Sequence, residues 1–191
     1  MSDAIEGAVR QPRRHDSGHK HVAGRAVYID DLPEPAGLLH VYFGTSAEAH
    51  ARIAKLDLDP VRAAEGVVLV LAAADIPGEN DISPTHRHDE PVFASGTVEY
   101  VGQPLFAVAA RTREQARRAA RLAAVDYEPL EPVLSIEAAK QAGVLVTDPL
   151  ILARGDAPAA LKRAPRRLAG RMSVGGQDHF YLEGQIAMTI P

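Results

Sequence analysis

The chain of 191 residues is 46% apolar and 24% charged, close to the averages of globular domains, which excludes global disorder. Its formal charge of -4 gives no overall electrostatic pull toward nucleic acid or an anionic membrane surface. Cysteine is absent, which excludes disulfides, thiolate nucleophiles and Fe–S ligation by these residues.

Residues 1–18 read as a flexible arm: they mix charges with Pro12 and hold no continuous apolar run, so neither a signal peptide nor a membrane span is expected. Arg13-Arg14 is followed by His15 and Asp16, where a twin-arginine signal would need an apolar stretch. The expected location is the cytoplasm. Asp16 is the expected cap of a short turn that ends at Gly24.

Leu39, Val41 and Phe43 alternate with His40 and Tyr42, the period of a strand with one buried face. Ser46 to His50 reads as one helical turn. Ala54, Leu56 and Leu58 alternate with Lys55, Asp57 and Asp59, which segregates charge only if this segment is extended. Val67–Ala72 is an unbroken apolar run, expected as a strand buried on both faces. Pro77-Gly78 closes that region, and the polar residues Glu79 to Pro91 read as a long loop.

A strand is expected at Leu105–Ala110, and Thr112-Arg113-Glu114-Gln115 has the pattern of a capping box opening a helix to about Leu122. Ala116, Ala119, Ala120 and Ala123 fall at helical spacing and give it a face of small side chains, before a further strand at Ala124–Tyr127. Ser135 with Ala138 marks a short helix ending at Gly143, and a last helix is expected near Asp156 to Ala164. Ile186, Ala187, Met188 and Ile190 read as an apolar strand with nothing after it to pair with, as at the opening of a second domain continuing beyond Pro191. Mixed strands and segregated short helices predict an α+β domain over residues 19–140, a linker over 141–169 and the start of another domain at 170–191.

His86 and His88 with Asp89 and Glu90 offer metal-ligand types, but a His-x-His in a solvated loop is more often polar surface. His15, His19 and His21 sit beside a loose arm with no preformed geometry. Arg113, Arg117, Arg118 and Arg121 make a basic helix face that solvation alone explains. Lys162, Arg163, Arg166, Arg167 and Arg171 lack the interleaved aromatics of a single-strand nucleic-acid site, so a subunit contact is the better reading. Arg154-Gly155-Asp156 reads as a glycine turn with Asp156 capping a helix, not as an adhesion motif. No phosphate loop, dinucleotide fingerprint or nucleophile elbow is present. Gly102 suits a tight turn before a strand, and Gln103 a buried amide needing partners. Gln177, His179 and Glu183 would share one face of an extended segment, opposite Phe180 and Leu182.

The motifs that run through the chain are His15-Asp16-Ser17, Gly24-Arg25-Ala26-Val27-Tyr28-Ile29-Asp30-Asp31-Leu32-Pro33, Leu39-His40, Gly66-Val67-Val68, Ala74-Asp75-Ile76-Pro77-Gly78, Val101-Gly102-Gln103-Pro104 and Tyr127. In that order and spacing the sequence resembles the molybdenum-binding subunit of the xanthine dehydrogenase and aldehyde oxidase family. Leu152-Ala153-Arg154-Gly155-Asp156, Gly175-Gly176-Gln177 and His179-Phe180-Tyr181-Leu182-Glu183 favour the bacterial xanthine dehydrogenase branch.

The resemblance implies an α/β-hammerhead domain at 19–140 and the opening of a molybdenum-cofactor-binding domain at 170–191. It implies hydroxylation of a purine, xanthine to urate, with oxygen from water and NAD as final acceptor. The molybdenum-molybdopterin would be held by a complete subunit, with Fe–S clusters and FAD on a partner subunit in a heterotetramer. The family's pterin-gripping residues and catalytic glutamate belong to later sequence, so no catalytic, cofactor-binding or metal residue is assigned here, and the polypeptide by itself is expected to hold no molybdenum. The alternatives are an aldehyde or carbon monoxide oxidising relative, and a non-catalytic docking module for an iron–sulfur flavoprotein.

Overall fold

The computed structural model describes residues 11–84 and 87–190. Its strands are β1 (His40–Thr45), β2 (Ala51–Asp57), β3 (Val67–Ala72), β4 (Thr97–Val98), β5 (Pro104–Ala110) and β6 (Ala124–Pro129). The helices are α1 (Gly18–Val22), α2 (Asp59–Arg62), α3 (Arg113–Ala120), α4 (Ile136–Ala142) and α5 (Ala157–Arg163). The described residues divide into two units, 36–157 and 11–35 together with 158–190.

The larger unit holds two antiparallel three-stranded sheets, ordered β1-β5-β3 and β4-β2-β6. β5 and β6 flank α3 in sequence yet lie in different sheets, so this strand–helix–strand segment is not a parallel crossover. Antiparallel pairing throughout, with short helices between, is the α+β organisation that the alternating patterns predicted.

β5 is the centre of the first sheet and nearly every side chain along it is buried, Leu105, Phe106 and Val108 at 1% exposure or less. Register places Tyr42, Val108 and Val70 on one face together with Gly44 and Phe106. Ala116, Ala119 and Ala120 of α3 are buried, and α3 packs on β1 and β5. Small side chains permit that close approach, as the sequence indicated. Thr112 caps α3 by accepting from the Gln115 N–H at 3.2 Å, and the helix stops at Ala120, slightly before the expected Leu122.

Several expectations fail for identifiable reasons. β1 forms, but Val41, Tyr42 and Phe43 are 58%, 40% and 51% exposed, because β1 is an edge strand along which only Gly44 is buried. β3 is an edge strand, so Val68 and Leu69 remain half exposed where burial on both faces was expected. Ser46–His50 is not helical: Ser46 Oγ accepts the Glu48 N–H and donates to the Glu48 carbonyl, a local turn that competes with helix. β2 starts at Ala51 and carries an irregularity between Ile53 and Lys55. Ala51 and Ile53 therefore face inward before it and Leu56 and Leu58 after it, and Ala54 is left exposed.

Turn chemistry is as the sequence indicated. Gly102 has φ +93° just before β5, Ser135 caps α4 through the Ala138 N–H at 3.1 Å, and Gly143 ends α4 at φ +69°. In the smaller unit Ser17, not Asp16, occupies the cap position of α1, and Gly24 follows with φ +66°. Residues 186–190 form no strand, and neither do residues 177–183.

Gly44 carries the tightest constraint in the first sheet. A Cβ built there would fall on the Phe106 ring edge, within 2.0 Å of Cε1, so the ring occupies the space a side chain would need. Gly44→Ala should destabilise the fold by about 1–3 kcal/mol or more through overpacking, read as a lowered midpoint in urea unfolding. An unchanged midpoint would show that Phe106 has room to move.

On α3, Glu114 receives Arg117 Nε at 3.0 Å and Arg118 Nε at 2.8 Å, and these hydrogen bonds, Arg117 first, hold its carboxyl down to about 2. A carboxyl depressed in the folded state contributes stability above its unfolded value near 4.5, and that contribution fades as pH falls toward 2. The thermal midpoint of Glu114→Gln should therefore lie below that of the parent at pH 6 and converge with it near pH 2. A gap independent of pH would dissociate Glu114 from acid sensitivity.

Candidate functional site

Gln177, His179 and Glu183 were expected to line one face of an extended segment. They do not share a face, because the segment is irregular and Phe180 turns the backbone at φ +52°. His179 stacks on Tyr181 with ring centroids 5.6 Å apart, and Gln177 is exposed. Glu183 is half-buried and accepts the Ile29 N–H through Oε1 at 3.1 Å. That bond ties it to a 3-10 turn, Ile29–Asp31, which Asp31 closes by accepting the Tyr28 N–H at 3.0 Å.

A molybdopterin site needs convergent donors for the pterin and its phosphate, and glycine amides packed closely around them. Around Gly175 and Gly176 nothing lies within 4 Å of a built Cβ, and the Glu183 carboxylate is already engaged by backbone. Residues 170–190 therefore do not fit the group by themselves.

The loop after β3 is better organised. His88 does not meet Asp89 or Glu90, its sequence neighbours; its Nδ1 lies 2.8 Å from Asp81 Oδ2 and 3.3 Å from Glu79 Oε1. His86 lies outside the described residues. Sequence reading missed Glu79 and Asp81 because proximity along the chain favoured the wrong carboxylates. His88 has φ +56°, which turns the chain back on itself, and Ser83 Oγ accepts the Asp89 and Glu90 N–H groups at 3.0 and 2.9 Å. The Asp-x-Ser pattern at Asp81–Ser83, a local turn former, was the available signal.

The remaining candidates are local structure. The His15 and His21 rings meet edge-on with centroids 6.3 Å apart, but His15 Nδ1 lies 3.2 Å from the Ser17 amide nitrogen and His21 Nδ1 lies 3.2 Å from the Tyr28 hydroxyl, so those nitrogens are engaged locally. Among the described residues, Glu79, Asp81 and His88 are the group whose ligand atoms come together. The basic face of α3 is partly neutralised by Glu114. Lys162, Arg163, Arg166, Arg167 and Arg171 line an exposed stretch along and after α5, with Lys162 the acceptor, through its carbonyl, of an Arg167 hydrogen bond at 3.5 Å.

Gln103 is buried at 5% exposure, and its Oε1 accepts the Glu99 N–H at 2.8 Å. Its backbone carbonyl accepts the Ser46 N–H at 2.9 Å, and the Gly102 N–H donates to the Ser46 carbonyl at 2.8 Å. The Val101–Pro104 motif is thus a turn fixed at the mouth of β5. Among the described residues no helix is long and apolar enough to cross a membrane.

The profile of the aldehyde oxidase and xanthine dehydrogenase a/b hammerhead domain matches residues 23–131. The chain is 35% identical to the xanthine dehydrogenase/oxidase of Gallus gallus, over 98% of its own length and 14% of that protein's. It is 38% identical to aldehyde oxidase 2 of Rattus norvegicus, again over 98% of this chain and 14% of the relative. Both relatives are therefore about seven times the length that the chain spans. The fold is similar to quinoline 2-oxidoreductase from Pseudomonas putida 86, with a TM-score of 0.56 and 34% identity over 66% of this chain and 17% of that one. Antiparallel sheets, the alanine-faced helix and the motifs through Tyr127 thus have one common origin: the chain belongs to the aldehyde oxidase and xanthine dehydrogenase family of molybdenum hydroxylases, whose α/β-hammerhead domain it carries.

Proposed function

We propose that the chain is the front portion of the molybdenum-binding subunit of a xanthine dehydrogenase, which hydroxylates xanthine to urate with oxygen from water and passes electrons to NAD. The observation that carries this reading is the match to xanthine dehydrogenases over nearly the whole chain, residues beyond the hammerhead profile included. In this reading residues 1–18 are an arm, 19–140 the hammerhead domain, 141–169 a linker and 170–191 the opening of the molybdenum-cofactor-binding domain. The molybdenum-molybdopterin, when bound by the whole subunit, supplies the redox chemistry at the substrate carbon. What these residues contribute is scaffold: Glu183 anchors the 3-10 turn at Ile29, and the buried core around β5 keeps the domain rigid.

In this reading Fe–S clusters and FAD reside on a partner subunit, assembled with it as a heterotetramer in the cytoplasm. A second reading, an aldehyde-oxidising relative, rests on the 38% identity to aldehyde oxidase 2, a figure that a xanthine dehydrogenase equals.

Affinity purification of the tagged chain from its native host, with whatever polypeptides accompany it, tests both. Xanthine-dependent NAD reduction with urate formation is the expected result. Reduction driven by aldehydes and not by xanthine would transfer the assignment to the second reading. Elemental analysis of the polypeptide purified without partners should find no molybdenum, and stoichiometric metal would overturn the scaffold role given to these residues.

A further inference from the structure

Three side chains drawn from two stretches of the loop between β3 and β4 bring their ligand atoms within 4.8 Å of one another: Glu79 and Asp81 from one side, His88 from the other. We propose that Glu79, Asp81 and His88 form a binding site for a divalent transition-metal ion of the Zn2+ class, which clips the two ends of this loop together. The donor set is one imidazole nitrogen and two carboxylate oxygens, a combination that borderline ions accept and that hard, oxygen-only sites do not use. Two carboxylates balance the charge of a dication.

The spacing is close to what a shared ion requires, although the 2.8 Å contact is also that of a direct hydrogen bond. Ligands about 2.0–2.1 Å from one ion stand roughly 2.9–3.4 Å apart at octahedral or tetrahedral angles. The Nδ1–Oε1 separation of 3.3 Å lies in that range, and the Nδ1–Oδ2 separation of 2.8 Å needs to open by only a small fraction of an ångström.

The site is also held from behind. Asp81 Oδ1 accepts from Ser83 Oγ at 2.5 Å and from the Ser83 N–H at 3.0 Å, which leaves Oδ2 directed at the imidazole. Those same bonds, the hydroxyl first, keep the Asp81 carboxyl below the usual carboxylate range and so anionic. The loop ends are fixed by the Asn80 side chain, which donates to the Phe93 carbonyl at 2.8 Å and accepts the Phe93 N–H at 3.1 Å. Arg87 is turned away and donates to the Val146 carbonyl at 2.8 Å, so its guanidinium does not compete for the carboxylates. His88 and Glu79 side chains are 56% and 75% exposed, which gives an ion a route in and room for water ligands.

A protonated His88 would instead form an ion pair with the same two carboxylates, and the test must separate the two. Titration of the chain with Zn2+ at pH 7.5, followed calorimetrically, should give one equivalent bound. Glu79→Gln should weaken binding tenfold or more, and His88→Gln should abolish it, while the variant with His15, His19 and His21 all changed to Gln keeps it. In 15N spectra the His88 Nδ1 resonance should shift with the first equivalent. Glu79 lies outside the Ser83 hydrogen bonds, so its substitution leaves the loop folded. No heat of binding in the parent chain, an affinity unchanged by Glu79→Gln and His88→Gln, or a loss confined to the triple variant would each overturn the site and leave the ion pair alone.

Discussion

The seating of the Phe106 ring against Gly44 sets the register of β1 on β5, and most of the larger unit is arranged around that pairing. β5 is the strand on which β1 and β3 both pair, so a slip here would move Phe106 off Gly44 and exchange the faces taken by Val108 and Ala107. Large and small side chains meet in the same plane: a ring fills the gap left by a missing Cβ, and the alanine face of α3 lies close over the sheet. The second sheet joins this core through Val98, Ala51 and the partly buried Val125 and Tyr127.

How much of this was legible depended on whether the physics was local. Thr112, Ser135, Gly102 and Gly143 act within a few residues of themselves, and the sequence alone located the turns and caps they make. Burial was less legible, because it depends on which strand becomes the centre of a sheet. Val67–Ala72 has the composition of a central strand and lies at an edge, while the equally long apolar run of β5 takes the middle. The β2 irregularity shows the same limit: a single extra residue reverses which side chains face inward, and alternation read in one register misses it. At residues 186–190 the apolar pattern found no strand neighbour among the described residues, and pattern without a pairing edge does not make a strand.

The site chemistry divides along a similar line. Family membership was legible from ordered motifs, since each motif answers to a local demand such as the Gly102 turn or the Asp31 closure of its 3-10 turn. The His88 environment was not, because it depends on a chain reversal that brings Asp81 and Glu79 back across the loop. Glu183 shows the converse: a carboxylate expected in a polar row along an extended segment instead accepts the amide of Ile29.

The uncovered face of the first sheet has a practical side. Val41, Phe43 and Leu69, each about half in water, stand on the side of the sheet away from Tyr42, Val108 and Val70. Water ordered over such a surface is released when two of them meet, so this face favours association. Kosmotropic salts would strengthen such contacts and a lysine at position 41 would weaken them, whereas Phe43, its ring 6.5 Å from that of the buried Phe93, is tied to the interior.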